Sequence, residues 1–146
     1  MKALSTRLLA AASLSLACAI CVADDRPYTE GPVTEVSYIR TKPGMFDEYM
    51  KWVATQRKQE MEEMKKAGII LSYAIYATMP RSPQEPDLIF TVTYKNMAAL
   101  DGLDAKTDPI DKKIFGSTEA ASKAMVSRAQ MRDVLGSELV RELKLK

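Results

Sequence analysis

The side chains able to do chemistry in this chain of 146 residues are carboxylates, lysines, tyrosines and hydroxyls, because it contains no histidine. Its two cysteines, Cys18 and Cys21, lie close together near the N-terminus. Without histidine, Ser-His-Asp and Cys-His catalysis are excluded, and so are the histidine ligands that zinc and haem sites commonly use. Acid–base or nucleophilic steps are left to carboxylates, lysines, tyrosines and serines. We therefore expect neither a metal site nor a cofactor.

Tyrosines in segments of alternating polarity are the best candidates for contacts with a small molecule. Tyr38, Tyr73, Tyr76 and Tyr94 all stand in such segments, with serine and threonine hydroxyls scattered among them. Small-molecule sites are mostly apolar and contain a few placed polar groups. The pattern favours a largely apolar cavity, with Tyr38 or Tyr76 in its lining.

The N-terminus has the pattern of a secretory signal peptide. Two basic residues precede an apolar run over 8–20, which ends in small residues. The run is short for a membrane span, which needs about 20 apolar residues. We predict cleavage after Ala23, so that residues 1–23 are a signal peptide and the mature protein is periplasmic or secreted. A lipoprotein anchored through Cys18 is the alternative.

Removal of the signal peptide would make the mature chain neutral. The full chain has 21 Lys and Arg against 19 Asp and Glu, and the loss of Lys2 and Arg7 leaves 19 of each. Nucleic acids and anionic membranes are bound through clustered basic residues. We therefore expect no nucleic acid and no membrane as a partner after cleavage. Both cysteines would also leave, so the fold would depend on its core alone.

The mature chain is predicted to begin with a flexible lead over 24–32, which contains two prolines and a glycine. A single domain over 33–146 follows, of ordinary size. Its first strand, over 33–41, is expected to end at the turn formed by Pro43 and Gly44.

A long amphipathic helix is predicted over 45–66, because apolar residues recur there at helical spacing. The predicted apolar stripe consists of Phe46, Met50, Val53, Met61 and Met64. Gly68 follows as the expected helix stop.

The rest of the chain predicts two strands, a helical region and a last strand. The predicted segments are strands at 69–79 and 88–95, helices at 97–100, 109–115 and 117–132, and a strand at 139–145. Asn96 and Ser117 are the expected N-caps of the first and last of these helices. The order β-α-β-β-α-β predicts an α+β, ferredoxin-like fold with a four-stranded antiparallel sheet.

Helices on one side of such a sheet leave the other side bare. The candidate residues for the bare side, depending on register, are Val36 with Tyr38, or Ile39, Ile70, Ala74, Tyr76 and Ile89. That surface is too apolar to face water, since large exposed apolar patches usually mark interfaces. We therefore predict a homodimer.

Three stretches of the sequence carry a resemblance to a known family. They are TEVSYIRTKPGMFDEY from Thr34, AGIILSY from Ala67, and LIFTVTYKNMAALDG from Leu88. The chain from Thr34 to Lys146 resembles the dimeric α/β-barrel superfamily, with its antibiotic-biosynthesis monooxygenase, EthD-like and NIPSNAP-like members, and looks like an exported member. The resemblance implies a homodimer that closes a dimeric α/β barrel, sheet against sheet.

The resemblance also suggests site residues. Cofactor-independent oxygenases of this superfamily use Asn, Trp and Tyr near an internal cavity, and Tyr38, Trp52, Tyr76 and Asn96 are the matching types here. The haem-degrading and chlorite-dismutase-like members need a histidine, which this chain lacks. Each of the four has an ordinary structural explanation as well: strand propensity for the tyrosines, boundary packing for Trp52, and helix capping for Asn96.

The leading functional hypothesis is an exported homodimer that binds a small hydrophobic or aromatic molecule, with no catalytic step required. The alternatives are a cofactor-independent oxygenase or isomerase, with Asn96 stabilising an oxyanion, and a structural module that binds a partner.

Glu35, on the first predicted strand, carries a separate expectation about an ion pair. If its side chain points toward the space between two paired sheets it needs a partner, and Arg141 on the last strand is the candidate.

Overall fold

Four strands and six helical segments are found in the computed structural model, which describes residues 25–146. The predicted signal peptide, 1–23, lies outside the described residues. The strands are β1 Tyr28–Thr41, β2 Ser72–Ala77, β3 Leu88–Tyr94 and β4 Arg132–Leu145. They form one sheet in the order β2-β3-β1-β4, and every neighbouring pair is antiparallel.

The helical segments connect the strands in the predicted order. They are α1 Phe46–Trp52, a π-helical turn Val53–Arg57, α2 Lys58–Lys66, a 3-10 turn Met97–Leu100, α3 Leu103–Phe115 and α4 Thr118–Met131. The chain therefore has the β-α-β-β-α-β order of the ferredoxin-like fold, with β1 and β3 in the centre of the sheet. The prediction of fold class is confirmed.

β1 begins at Tyr28, within the predicted flexible lead, because this segment pairs with the end of β4. Tyr28 pairs with Leu145, and the register shifts where Gly31 and Pro32 lie opposite Glu142. A Cβ at residue 31 would approach the Glu142 side chain to 2.8 Å, so the close approach favours glycine there. Proline cannot donate a ladder hydrogen bond and is tolerated at such a bulge. The residues that predicted a loop instead form a bulge within a long strand.

The long predicted helix is present, but its buried stripe differs in the first turns. Tyr49 is almost fully buried, whereas Phe46 is 41% exposed. The π-helical turn accommodates more residues per turn than an α-helix. Inward-facing positions in this region are therefore spaced by four residues: Tyr49, Val53, Arg57 and Met61.

β2 is shorter than the predicted 69–79. The N–H of Ile69 donates to the carbonyl of Met64 at 3.0 Å, which keeps this segment in the turn after α2. Ile70 is buried within the core, and pairing with β3 begins only at Ser72.

α3 begins at Leu103, six positions before the predicted start at Pro109. The proline therefore lies inside the helix, where its missing N–H removes one backbone hydrogen bond. The helix continues because Leu103, Ile110 and Ile114 all pack on the core. Tertiary burial outweighs the local cost of the proline.

β4 begins at Arg132, directly after α4, and not at residue 139 as predicted. Gly136, which lies between the predicted helix and the predicted strand, is part of a β-bulge: Tyr38 pairs with Gly136 and Ile39 with Val134, so Leu135 has no partner in the ladder. A bulge redirects a strand without ending it. β4 therefore pairs with β1 along nearly its whole length.

The core lies between the sheet and the helices as two clusters. The first consists of Ile39, Tyr49, Val53, Leu88, Phe90 and Met131. The second consists of Met61, Met64, Ile70, Val92, Tyr94 and Ile110. The strand residues of both clusters belong to one face of the sheet, which is therefore the face that the helices cover.

The opposite face of the sheet is called the outer face below. It presents Val36, Tyr38, Ala74, Tyr76, Ile89, Thr91, Glu138 and Val140. Tyr76 is 55% exposed and Val140 is 42% exposed. Over residues 25–146, no helix has the length and apolar character that crossing a bilayer requires.

Candidate functional site

A cavity of about 220 Å³ lies between the covered face of the sheet and the helices. Its apolar lining consists of Ile39, Tyr49, Phe90, Val92 and Val134. Its polar lining consists of Glu35, Ser37, Arg57, Arg128, Arg132 and Ser137. The cavity thus combines an aromatic and aliphatic interior with a concentration of arginines.

Three different elements bring the arginines together. Arg57 ends the π-helical turn, Arg128 lies in the last turn of α4, and Arg132 is the first residue of β4. The spacing of four between Arg128 and Arg132 crosses the junction at which the helix changes to extended backbone. This junction directs both side chains to the cavity.

Within the described part of the chain, Arg57 alone among the three arginines has an acidic partner. Arg57 Nη1 donates to Glu60 Oε1 at 2.8 Å, and the Glu60 side chain is largely buried. Within residues 25–146, Arg128 and Arg132 form no ion pair with a carboxylate. Their guanidinium groups instead lie over aromatic rings.

Those rings hold the two guanidinium groups from the helix side. The Arg128 guanidinium lies 5.0 Å from the ring centroid of Trp52, and that of Arg132 lies 5.7 Å from the centroid of Tyr49. Tyr49 also stacks on Phe90, with centroids 6.1 Å apart. Burial raises the pKa of Tyr49, and the nearby charges of Arg132 and Arg128 oppose that rise. Tyr49 therefore remains a neutral phenol at ordinary pH.

Glu35 faces the cavity from β1, and Arg141 is not its partner. Arg141 Nη1 donates to Glu30 Oε2 instead, because the bulge in β1 aligns residue 30 with the end of β4. The carboxylate of Glu35 acts on Tyr94: burial, and then the charge of Glu35, raise the pKa of Tyr94 to about 12. The prediction of an ion pair between Glu35 and Arg141 is therefore wrong.

Two serines form a polar rim between the central strand and the edge strand. Ser37 of β1 and Ser137 of β4 are paired in register, and their hydroxyl oxygens are 2.9 Å apart. Both line the cavity and both hydroxyls can donate and accept. They add neutral hydrogen-bonding groups to a lining that also contains Arg128 and Arg132.

The four residues singled out from the sequence do not come together, and none of them lines this cavity. Tyr38 and Tyr76 lie on the outer face of the sheet. The Tyr38 hydroxyl donates to Glu138 Oε1 at 2.6 Å, and this hydrogen bond is the main cause that raises its pKa.

Trp52 and Asn96 lie elsewhere. Trp52 borders an open surface groove between α1 and α4, beside Met45 and Met131. Asn96 Oδ1 accepts from the N–H of Ala99 at 3.1 Å and caps the 3-10 turn, as its position predicted. Asn96 therefore serves its own helix terminus and does not line the cavity, so the oxygenase hypothesis loses its proposed oxyanion-stabilising residue.

The arginines were missed because their positions look like ordinary helix surface in the sequence. A pattern was nevertheless present for Arg57, which stands in a series with Tyr49, Val53 and Met61 at spacings of four. An arginine inside an apolar stripe is an informative departure from the pattern. Among residues 25–146, no three acidic side chains are arranged to hold a metal ion.

No family model matches the chain, and no curated protein matches it.

Comparison with solved structures does find neighbours. HapK from Hahella chejuensis superposes with a TM-score of 0.52 at 12% identity, over 75% of this chain and 91% of that protein. A dimeric ferredoxin-like protein from an uncultured marine organism superposes with a TM-score of 0.50 at 12% identity, over 81% of this chain and 98% of that protein. At 12% identity, these superpositions show a shared fold. The chain has the ferredoxin-like fold of these proteins.

Proposed function

We propose that the protein is an exported homodimer that binds a small aromatic molecule in the cavity between its sheet and its helices. The observation that carries the proposal is the cavity itself, of about 220 Å³, with Tyr49 and Phe90 in its lining. An apolar cavity of about 150 Å³ holds benzene. The volume here therefore suits one aromatic ring with small substituents.

The composition of the lining supports a ligand rather than a packing defect. Apolar side chains form one part of the wall, while Ser37, Ser137 and the arginines form the other. Binding sites for small molecules combine an apolar interior with a few polar groups that fix orientation. Defects in a core are, by contrast, lined by apolar side chains.

The outer face supports the homodimer. Val36, Tyr38 and Ile89 are adjacent on the two central strands, on the face opposite to the one that the helices of residues 25–146 cover. The edge strand β4 adds the exposed side chain of Val140 to this face. A contiguous apolar surface beside an unpaired strand edge is a surface for association. The dimeric ferredoxin-like neighbour has the same fold, which also supports self-association.

A cavity-filling variant tests ligand binding. Val134 lines the cavity and is 54% exposed, so phenylalanine at this position fills the cavity from its open side without disturbing the core. We expect Val134→Phe to weaken the binding of phenol, benzyl alcohol and benzoate by about tenfold or more, in calorimetric titration. Val126→Phe, on the exposed side of α4, is the matched control and should bind as the wild type does.

Two results would contradict the proposal. One is the absence of binding by all three compounds at millimolar concentration, since the cavity would then not accept an aromatic ring. The other is equal binding by Val134→Phe and the wild type, since the ligand would then bind elsewhere.

A further inference from the structure

We infer that the ligand of this cavity is an aromatic monocarboxylate, with its carboxylate bound by Arg128 and Arg132 and its ring against Phe90. The inference rests on the proposed function, because it names the chemical class of the molecule that the same cavity would hold. It goes beyond a general affinity for aromatic compounds by requiring a negative charge on the ligand.

The first argument is the number of unused donors. A guanidinium group has five N–H donors and no acceptor. Within residues 25–146, the buried Arg132 Nε has no hydrogen-bond partner, and Arg128 Nη2 donates to the thioether sulfur of Met125 at 3.3 Å. Thioether sulfur is a weak acceptor. Both guanidinium groups therefore keep strong donors available in a partly buried place, where unpaired donors are costly.

The second argument is the mutual repulsion of the arginines. Burial, and then the charges of Arg132 and Arg57, lower the pKa of Arg128 to about 10. Burial also lowers the pKa of Arg132. The positive charges of these arginine side chains thus lie close enough to destabilise one another. An anion bound between them would relieve that repulsion. Binding sites commonly hold such unfavourable arrangements in the absence of their ligand.

The third argument is the charge balance, which selects a monoanion. Arg57 is paired with Glu60, and Glu35 faces the same cavity. Among the charged side chains that line the cavity and their ion-pair partners, three guanidinium groups against two carboxylates leave one net positive charge. A ligand with a single negative charge balances the site, whereas a phosphate dianion would leave an excess.

The fourth argument is the orientation of the two groups. Each guanidinium lies over a ring, Arg128 over Trp52 and Arg132 over Tyr49. The N–H groups of a guanidinium lie in its own plane and match the two oxygens of a carboxylate. Contact with a ring also restrains the arginine side chain and so reduces the entropy that binding would otherwise cost.

The test compares benzoate with benzamide, its neutral isostere, in calorimetric titration of the purified protein. Hydrogen bonds to charged groups contribute about 1.5–3 kcal/mol, which corresponds to roughly 10-fold to 100-fold in affinity. We expect benzoate to bind more tightly than benzamide by about that ratio. Phenyl phosphate, which carries a second charge, should bind more weakly than benzoate.

Two variants assign the effect to the arginines. Arg132→Met and Arg128→Met each remove one charge and keep an unbranched side chain that packs on the aromatic ring. Each should reduce the affinity for benzoate to nearly that for benzamide and leave benzamide binding unchanged. Arg81→Met is the control, because Arg81 lies in an exposed loop and pairs with Glu85. Circular dichroism verifies that each variant is folded.

The outcomes separate this inference from the proposed function. Equal affinities for benzoate and benzamide, both weakened by Val134→Phe, would overturn the inference that the site recognises a carboxylate. The same result would support the proposed binding of an aromatic ring in the cavity. Benzoate binding that neither arginine variant weakens would also overturn the inference, as would tighter binding of phenyl phosphate. Failure of both benzoate and benzamide to bind would overturn the inference and count against the proposed function.

Discussion

The guanidinium of Arg128 lies 5.0 Å from the ring centroid of Trp52, so the only tryptophan of the chain supports a cavity that it does not line. Trp52 also stacks on Tyr49, with ring centroids 6.1 Å apart and planes within 8°. Tyr49 and Arg128 both line the cavity. Trp52 is therefore a positioning residue in the proposed site, acting through its two neighbours.

The first prediction follows from this position. Trp52→Leu removes the ring under Arg128, and cation–π contacts of this kind contribute about 0.5–2 kcal/mol. We expect the ratio of benzoate to benzamide affinity to fall several-fold in calorimetric titration. Trp52→Phe keeps an aromatic ring and should retain most of the ratio. If Trp52→Leu lowered the affinities for benzoate and benzamide equally, Trp52 would support only the fold.

The second prediction concerns the outer face. Val140 is 42% exposed on the edge strand, so a glutamate there is tolerated in a single chain but would be buried at a sheet-to-sheet interface. We expect the wild type to sediment with twice the mass of one chain, and Val140→Glu with the mass of one. Val126→Glu, at an exposed position of α4, is the matched control and should remain a dimer. A wild type with the mass of one chain would contradict the proposed homodimer.

Most of the fold could be predicted because its patterns are local. The alternation of Leu88–Tyr94 and the capping residues Asn96 and Ser117 act within a few positions of themselves. The failures came where distant pairing overrides local preference. Tyr28 joins the sheet because Leu145 is opposite, and Pro109 lies inside a helix because Ile110 is buried.

The site could be predicted much less well. The sequence suggested an aromatic cavity, but the aromatic residues at the cavity are Tyr49 and Phe90, while Tyr38 and Tyr76 lie on the opposite face of the sheet. The face of a strand depends on its register, which only the partner strand fixes. Arg128 joins this cavity through the end of α4, and no spacing in the sequence relates it to Arg57. The convergence of the arginines is a property of the tertiary fold.

The third prediction uses Tyr94, which is 3% exposed and has its pKa raised to about 12, by burial first and then by the charge of Glu35. In the unfolded chain this phenol titrates near 10.0. A raised native pKa means that the stabilising contribution is complete below about pH 10 and is lost as the pH rises towards 12. One pKa unit corresponds to about 1.4 kcal/mol, so the loss across this window is about 3 kcal/mol.

Tyr94→Phe should remove that loss. The free energy of unfolding, measured with urea at intervals from pH 9 to pH 12, should fall less steeply for Tyr94→Phe than for the wild type, by about 3 kcal/mol over the window. Tyr76→Phe, which changes an exposed tyrosine of β2, is the control and should follow the wild type. Comparing the variants with the wild type cancels the contributions that other titrating groups make to the free energy of unfolding. One such group is Arg128, whose lowered pKa changes that free energy with pH in the opposite direction. Parallel curves for Tyr94→Phe and the wild type would mean that the phenol ionises without cost in the native core, in conflict with its burial beside Glu35.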